Sequence, residues 1–109
     1  MRDVHVVGLG AVSACGLGAD ALWRACRDGR SSVRDVDIPD LPKQRVQMAA
    51  VLSENAEGRM DDVGDRRLQD RVTRLALAAT DEALDQAGLS GQDLGPRCGV
   101  IMGVGFGGA

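Results

Sequence analysis

The chain has 109 residues, 44% of them apolar, with Trp23 and Phe106 as its only aromatic side chains. Its 16 acidic and 13 basic residues leave a net charge of −3, a balance that speaks against general affinity for nucleic acid. No apolar run approaches the roughly 20 residues of a membrane-spanning helix, and the opening Met1-Arg2-Asp3-Val4-His5 lacks the apolar core and small-residue cleavage site of a secretory signal, so a cytoplasmic protein without membrane contact is expected.

Residues 4–7 are short, apolar and β-branched, which predicts a buried strand. Gly8 and Gly10 end it. A helix follows over about residues 20–27, since Ala19, Leu22, Trp23 and Cys26 recur at helical spacing. Gly29 supplies its stop. Residues 30–45 are polar, carry Pro39 and Pro42, and read as loop. Val46, Met48, Ala50 and either Val51 or Leu52 predict a second strand. Residues 53–64 are acidic and irregular.

The clearest element comes next. From Leu68, the positions Val72, Leu75, Ala76, Ala79, Ala83, Leu84 and Ala87 predict a long amphipathic helix, rich in alanine and therefore closely packed. Gly88 ends it. After a turn at residues 90–96, residues 98–104 predict a third strand, buried on both faces. The order β-α-β-α-β points to an α/β fold. So few strands would leave apolar sheet faces and open edges in water, so the expectation is one incomplete part of a larger domain.

Candidate chemistry is sparse. Cys15, Cys26 and Cys98 are odd in number and widely spaced, which favours reduced thiols over disulfides. His5 is the only histidine and no CxxC occurs, so no metal site is expected. Cys15, in Val12-Ser13-Ala14-Cys15-Gly16-Leu17-Gly18, lies between an apolar run and a helical pattern, where a nucleophile could sit. No base accompanies it, and a reactive thiol needs a cation or a helix N-terminus to lower its pKa; the simpler reading is a small loop residue. Cys26 and Cys98 read as core residues, and His5 as a strand residue with a local hydrogen-bond partner.

Gly8-Leu9-Gly10-Ala11-Val12-Ser13 after a strand also suggests a dinucleotide-binding module, whose glycines admit a pyrophosphate to a helix N-terminus. Ser13 stands where the third glycine belongs, the helix starts late, and Asp28, Asp35 and Asp37 are misplaced for the ribose-binding acid. This reading is a remote alternative.

Taken in order, several motifs match one family. They are Val6-Val7-Gly8-Leu9-Gly10-Ala11-Val12-Ser13, then Gly16, Trp23 and Gly29-Arg30-Ser31. Arg67 and Asp70 follow as an Arg-x-x-Asp pair before the long helix, then Ala83, Gly88 and Leu89 at its end. Last comes Cys98-Gly99-Val100-Ile101-Met102-Gly103-Val104-Gly105-Phe106-Gly107-Gly108. Over residues 4–108 the chain resembles the N-terminal segment of the β-ketoacyl-acyl-carrier-protein synthases, nearest to the elongating enzymes of type II fatty acid and polyketide synthesis. The resemblance implies a thiolase-like fold, layered α-β-α-β-α, of which residues 1–109 are an incomplete first half ending before the nucleophile elbow. It implies decarboxylative Claisen condensation of an acyl thioester with malonyl carrier protein, on a cysteine assisted by two histidines and a backbone oxyanion hole. None of those catalytic groups falls within residues 1–109, so the segment alone is expected to be inactive. No cofactor is implied beyond the carrier's phosphopantetheine arm. The implied partners are the acyl carrier protein and a second subunit, in a homodimer or a synthase–partner heterodimer.

Two candidate sites follow from the resemblance. Gly105, Phe106, Gly107 and Gly108 match a loop beside the acyl tunnel; Phe106 either gates a short acyl pocket or plugs the core. Arg66, Arg67 and Arg71, with Arg74 near, match or neighbour the basic patch that docks the acidic carrier. Gly64 and Leu68 stand where bases are common. The other reading is a solvated helix face with Asp65 and Asp70 as partners. Val7 in place of threonine, Ala14 in place of proline and Gln69 in place of methionine depart from the family pattern. They leave room for a non-catalytic chain-length partner subunit or an inactive remnant.

Overall fold

The computed structural model describes residues 2–37, 47–61 and 70–105. Within them, β1 (Val12–Ser13) and β2 (Gly16–Leu17) form an antiparallel hairpin, with Val12 opposite Leu17 and Ser13 opposite Gly16. Ala14 and Cys15 make its two-residue turn. Ser13 Oγ accepts the Cys15 N–H at 3.3 Å, the side-chain-to-backbone bond that favours serine in turns. Gly16, at φ 137, takes the conformation that side chains disfavour.

Helix α1 (Gly18–Asp28) begins directly after the hairpin. An Asp20–Arg24 pair, 2.7 Å apart, lies on its exposed surface. Gly29 closes it in the left-handed region at φ 63, with the Arg30 N–H reaching back to the Ala25 carbonyl at 2.9 Å. The predicted helix and stop are both present. Its expected face is partly wrong: Ala25 is buried, whereas Trp23 and Cys26 are exposed.

β3 (Arg34–Asp35) and β4 (Met48–Ala49) form a second antiparallel pair, Arg34 opposite Ala49 and Asp35 opposite Met48. β4 is the remnant of the strand expected over residues 46–52, of which Val46 lies outside the described residues. Residues 53–64 were expected to be irregular. Instead α2 (Glu54–Asp61) forms there. Ser53 starts it, accepting the Ala56 N–H on its Oγ at 3.2 Å, and Ala56 and Met60, four positions apart, are buried.

Helix α3 (Arg71–Gln86) is the longest element. Asp70 caps its start, accepting the Thr73 N–H at 2.8 Å. At its end the Gly88 N–H bonds Asp85 at 3.1 Å and the Leu89 N–H bonds Leu84 at 2.9 Å, the paired closure that a glycine at φ 72 permits. The helix expected from Leu68 is therefore present from Arg71, with Leu68 outside the described residues. α2 packs on α3 and on β2, α1 packs on the hairpin, and α3 touches β1. Among the described residues, Ala25, Ala56, Met60 and Ala78 are the buried hydrophobic side chains.

The first and third expected strands do not form. Residues 4–7 and 98–104 carry no strand pairing, and Val4, Val6, Val7, Val100, Ile101 and Met102 stand exposed. A strand is stabilised by ladder bonds and packing on neighbours, and these two segments meet no pairing partner among the described residues. Cys98 and His5 are likewise exposed. The described residues thus hold helices and short strands without the layered sheet.

Candidate functional site

The glycine-rich segment before β1 lies directly on α3. A Cβ on Gly8 would overlap the carbonyl oxygen of Ala83, and one on Gly10 the carbonyl oxygen of Ala79. Glycine and alanine face each other here because only a hydrogen fits between the two backbones. Three main-chain amides around this contact are taken up by α3. Gln86 Oε1 accepts the Leu9 N–H at 2.7 Å. Glu82 Oε2 accepts the Ala11 N–H at 2.9 Å, and its Oε1 accepts the Ala19 N–H at 2.9 Å.

This arrangement explains the fingerprint-like glycines. Gly8-Leu9-Gly10-Ala11 and the first turn of α1 do present amides to one anion, as a phosphate-binding turn does. The anion is the carboxylate of Glu82. The turn is filled from within, and the glycines serve contact with a helix.

Cys15 is not on a strand-to-helix elbow. It sits at the tip of the β1–β2 hairpin, half-buried, and its Sγ accepts the Ser32 hydroxyl at 3.2 Å. No histidine lies in this region of the sequence. A shallow cleft beside the hairpin is lined by Val12, Leu17, Ala56, Arg59 and Ala78. Among the described residues there is no grouping of three or more His, Cys, Asp or Glu side chains able to hold a metal ion, and no helix long and apolar enough to cross a membrane.

Of the arginines expected to dock the carrier, Arg71 is described, and Arg66 and Arg67 lie outside the described residues. Arg71 stands in the first turn of α3 and makes a two-pronged pair with Glu57 of α2: Nη1 donates to Oε2 at 2.9 Å and Nη2 to Oε1. That bonding holds the guanidinium's pKa above its ordinary value. Next to it, the Thr73 N–H lowers the Asp70 carboxyl from its ordinary 3.8. Of the residues expected at the acyl pocket, Gly105 is an exposed bend; Phe106, Gly107 and Gly108 lie outside the described residues. Glu57, Glu82 and Gln86 escaped the sequence reading. The signal was slight: Glu82 and Gln86 stand four apart, beside Ala79 and Ala83 on α3.

The chain matches the description "Beta-ketoacyl synthase, N-terminal domain" over residues 1–109 and belongs to that family. Among curated proteins it is 37% identical to a putative polyketide beta-ketoacyl synthase 1 of Streptomyces halstedii, across 98% of this chain and 26% of that one. It is 35% identical to nodulation protein E of Rhizobium sp. strain N33, across 95% of this chain and 26% of that one. With the chloroplastic 3-oxoacyl-[acyl-carrier-protein] synthase I of Arabidopsis thaliana it shares 30% identity, across 98% of this chain and 24% of that one. The chain therefore spans about a quarter of the length of the curated relatives it matches. No solved structure matches it significantly.

Proposed function

We propose that this chain is the N-terminal part of a β-ketoacyl-acyl-carrier-protein synthase of fatty acid or polyketide synthesis, built on the layered thiolase-like fold. The observation that carries this reading is the family match across the whole of residues 1–109. The names of the relatives, which include both polyketide and 3-oxoacyl synthases, support it.

In the proposed reaction a cysteine thiolate takes an acyl group from a carrier thioester and releases the carrier thiol. Malonyl carrier protein then loses carbon dioxide. Its carbanion attacks the acyl-enzyme carbonyl, expels the enzyme thiolate and leaves a β-keto thioester on the carrier. Nucleophile and histidines belong to the remaining length that the relatives possess. Cys15 is a poor candidate, since it sits at the tip of the β1–β2 hairpin rather than on a strand-to-helix elbow; its Sγ accepts a hydrogen bond from the Ser32 hydroxyl. The present residues supply frame and surface. Gly105, Phe106, Gly107 and Gly108 line the acyl pocket, and Arg66, Arg67 and Arg71 dock the acidic carrier. The working assembly is a homodimer or a synthase–partner heterodimer.

The test uses the full-length protein with an acyl carrier thioester and malonyl carrier protein. Release of carbon dioxide with a β-ketoacyl product is expected, and Cys15→Ser should retain it. The isolated 109-residue chain should form none. If the full-length protein condenses nothing but changes product length when mixed with a separate synthase, the tunnel-shaping partner subunit is the correct reading.

A further inference from the structure

Arg71, one of the three docking arginines, already grips an anion. Both of its terminal nitrogens donate to Glu57, which is the pairing a guanidinium offers any incoming carboxylate. Glu57 belongs to α2 and Arg71 to α3, so the pair bridges two packed helices. Both side chains remain open to water, 55% exposed for Arg71 and 38% for Glu57. A partner can reach the pair, and a displaced Glu57 can return to solvent as an ion. Exposed ion pairs contribute little, so a carboxylate-rich surface making several contacts can win the exchange.

We propose that Glu57 is an internal competitor for the acidic carrier: it occupies the Arg71 fork in the free protein and is displaced when the carrier docks. It thereby lowers affinity for every anionic surface and selects for partners with enough carboxylates to replace it. This rests on the docking role assigned to the arginines above.

The test is a double-mutant cycle on the full-length protein, with binding of an acyl carrier protein bearing its phosphopantetheine arm measured by calorimetry at low salt. Glu57→Gln should tighten binding about two- to fivefold, the scale of one exposed ion pair. In the Arg71→Gln background the same change should do no more than Glu54→Gln does. Glu57→Asp keeps the charge but draws the carboxylate back, and should give part of the gain. Glu54→Gln, on the same helix, makes an equal change in net charge and should do less than Glu57→Gln. Circular dichroism confirms that each variant folds.

Equal gains from Glu57→Gln with and without Arg71 would mean a general field effect and overturn the proposal. So would no gain at all. If those results arise while charge reversal at Arg66 and Arg67 still weakens binding, the docking role survives and the competitor alone falls. If that reversal leaves binding unchanged, the docking role itself fails.

Discussion

Glu82 and Ala19 are 63 positions apart, yet the Ala19 N–H donates to Glu82 Oε1 at 2.9 Å. The other oxygen of the same carboxylate holds Ala11. One side chain of α3 therefore joins the glycine segment to the first turn of α1.

Removing that carboxylate should loosen both segments. Glu82→Ala leaves two partly buried amides without their acceptor, at a cost of about 1–3 kcal/mol. Glu82→Gln keeps one acceptor oxygen and should lose roughly half as much. Denaturant unfolding of the full-length protein measures the loss, and amide exchange localises it. Ala11 and Ala19 should lose protection together; unchanged exchange at either would show that the bond does not form.

The backbone contact sets a second expectation. Gly10→Ala drives a methyl group into the Ala79 carbonyl, and Gly8→Ala does the same at Ala83, with the Ala87 methyl 3.2 Å away. Each should destabilise by about 1–3 kcal/mol, the range for overpacking. Gly91→Ala is a useful comparison: it has open space around it, and only its left-handed backbone at φ 71 resists the change. Thermal unfolding of the full-length variants should rank both contact substitutions below Gly91→Ala.

Asp70 gives the start of α3 a pH dependence. Its carboxyl is lowered from 3.8 by the Thr73 bond, so the folded state holds its proton less tightly than the unfolded chain. The cap is fully effective above the ordinary value and is lost as pH falls through the lowered one. Acid titration by circular dichroism should show the cap failing below about pH 4. Asp70→Asn, which keeps an acceptor but no charge, should remove that component of the titration.

If Phe106 lines the acyl pocket as proposed, it should restrict chain length. Phe106→Ala in the full-length protein should raise kcat/KM for longer acyl carriers relative to short ones, on the order of tenfold for about two methylenes at ~0.8 kcal/mol each. Competition between two chain lengths reads the ratio directly. An unchanged ratio would assign Phe106 to core packing.

The helices α1 and α3 were legible because their apolar periodicity ends in glycines, Gly29 and Gly88, that the closures require. α2 was hidden by its acids. Its buried pair Ala56 and Met60 is helical in spacing, but two positions are too few to stand out from a loop. Residues 4–7 and 98–104 have strand composition, yet strand formation depends on neighbours that local sequence does not contain. Trp23 and Cys26 failed for a related reason: periodicity shows that a face is apolar and is silent on what covers it. The family was carried by ordered motifs, the Arg71–Glu57 pair and the amide clamp by geometry. Glu57 and Glu82 carry little signal in the sequence until the helices that present them are placed.

The approach of residues 8–10 to α3 has a mechanical consequence. Where side chains mediate a contact, rotamer changes absorb small displacements. Here main chain rests on main chain, pinned at Leu9, Ala11 and Ala19 by Gln86 and Glu82, so there is no cushion. A displacement of α3 at Ala79 or Ala83 would press directly on the backbone of Gly10 or Gly8. Sliding residues 8–10 along α3 would therefore have to break these three bonds as well as part the two backbones.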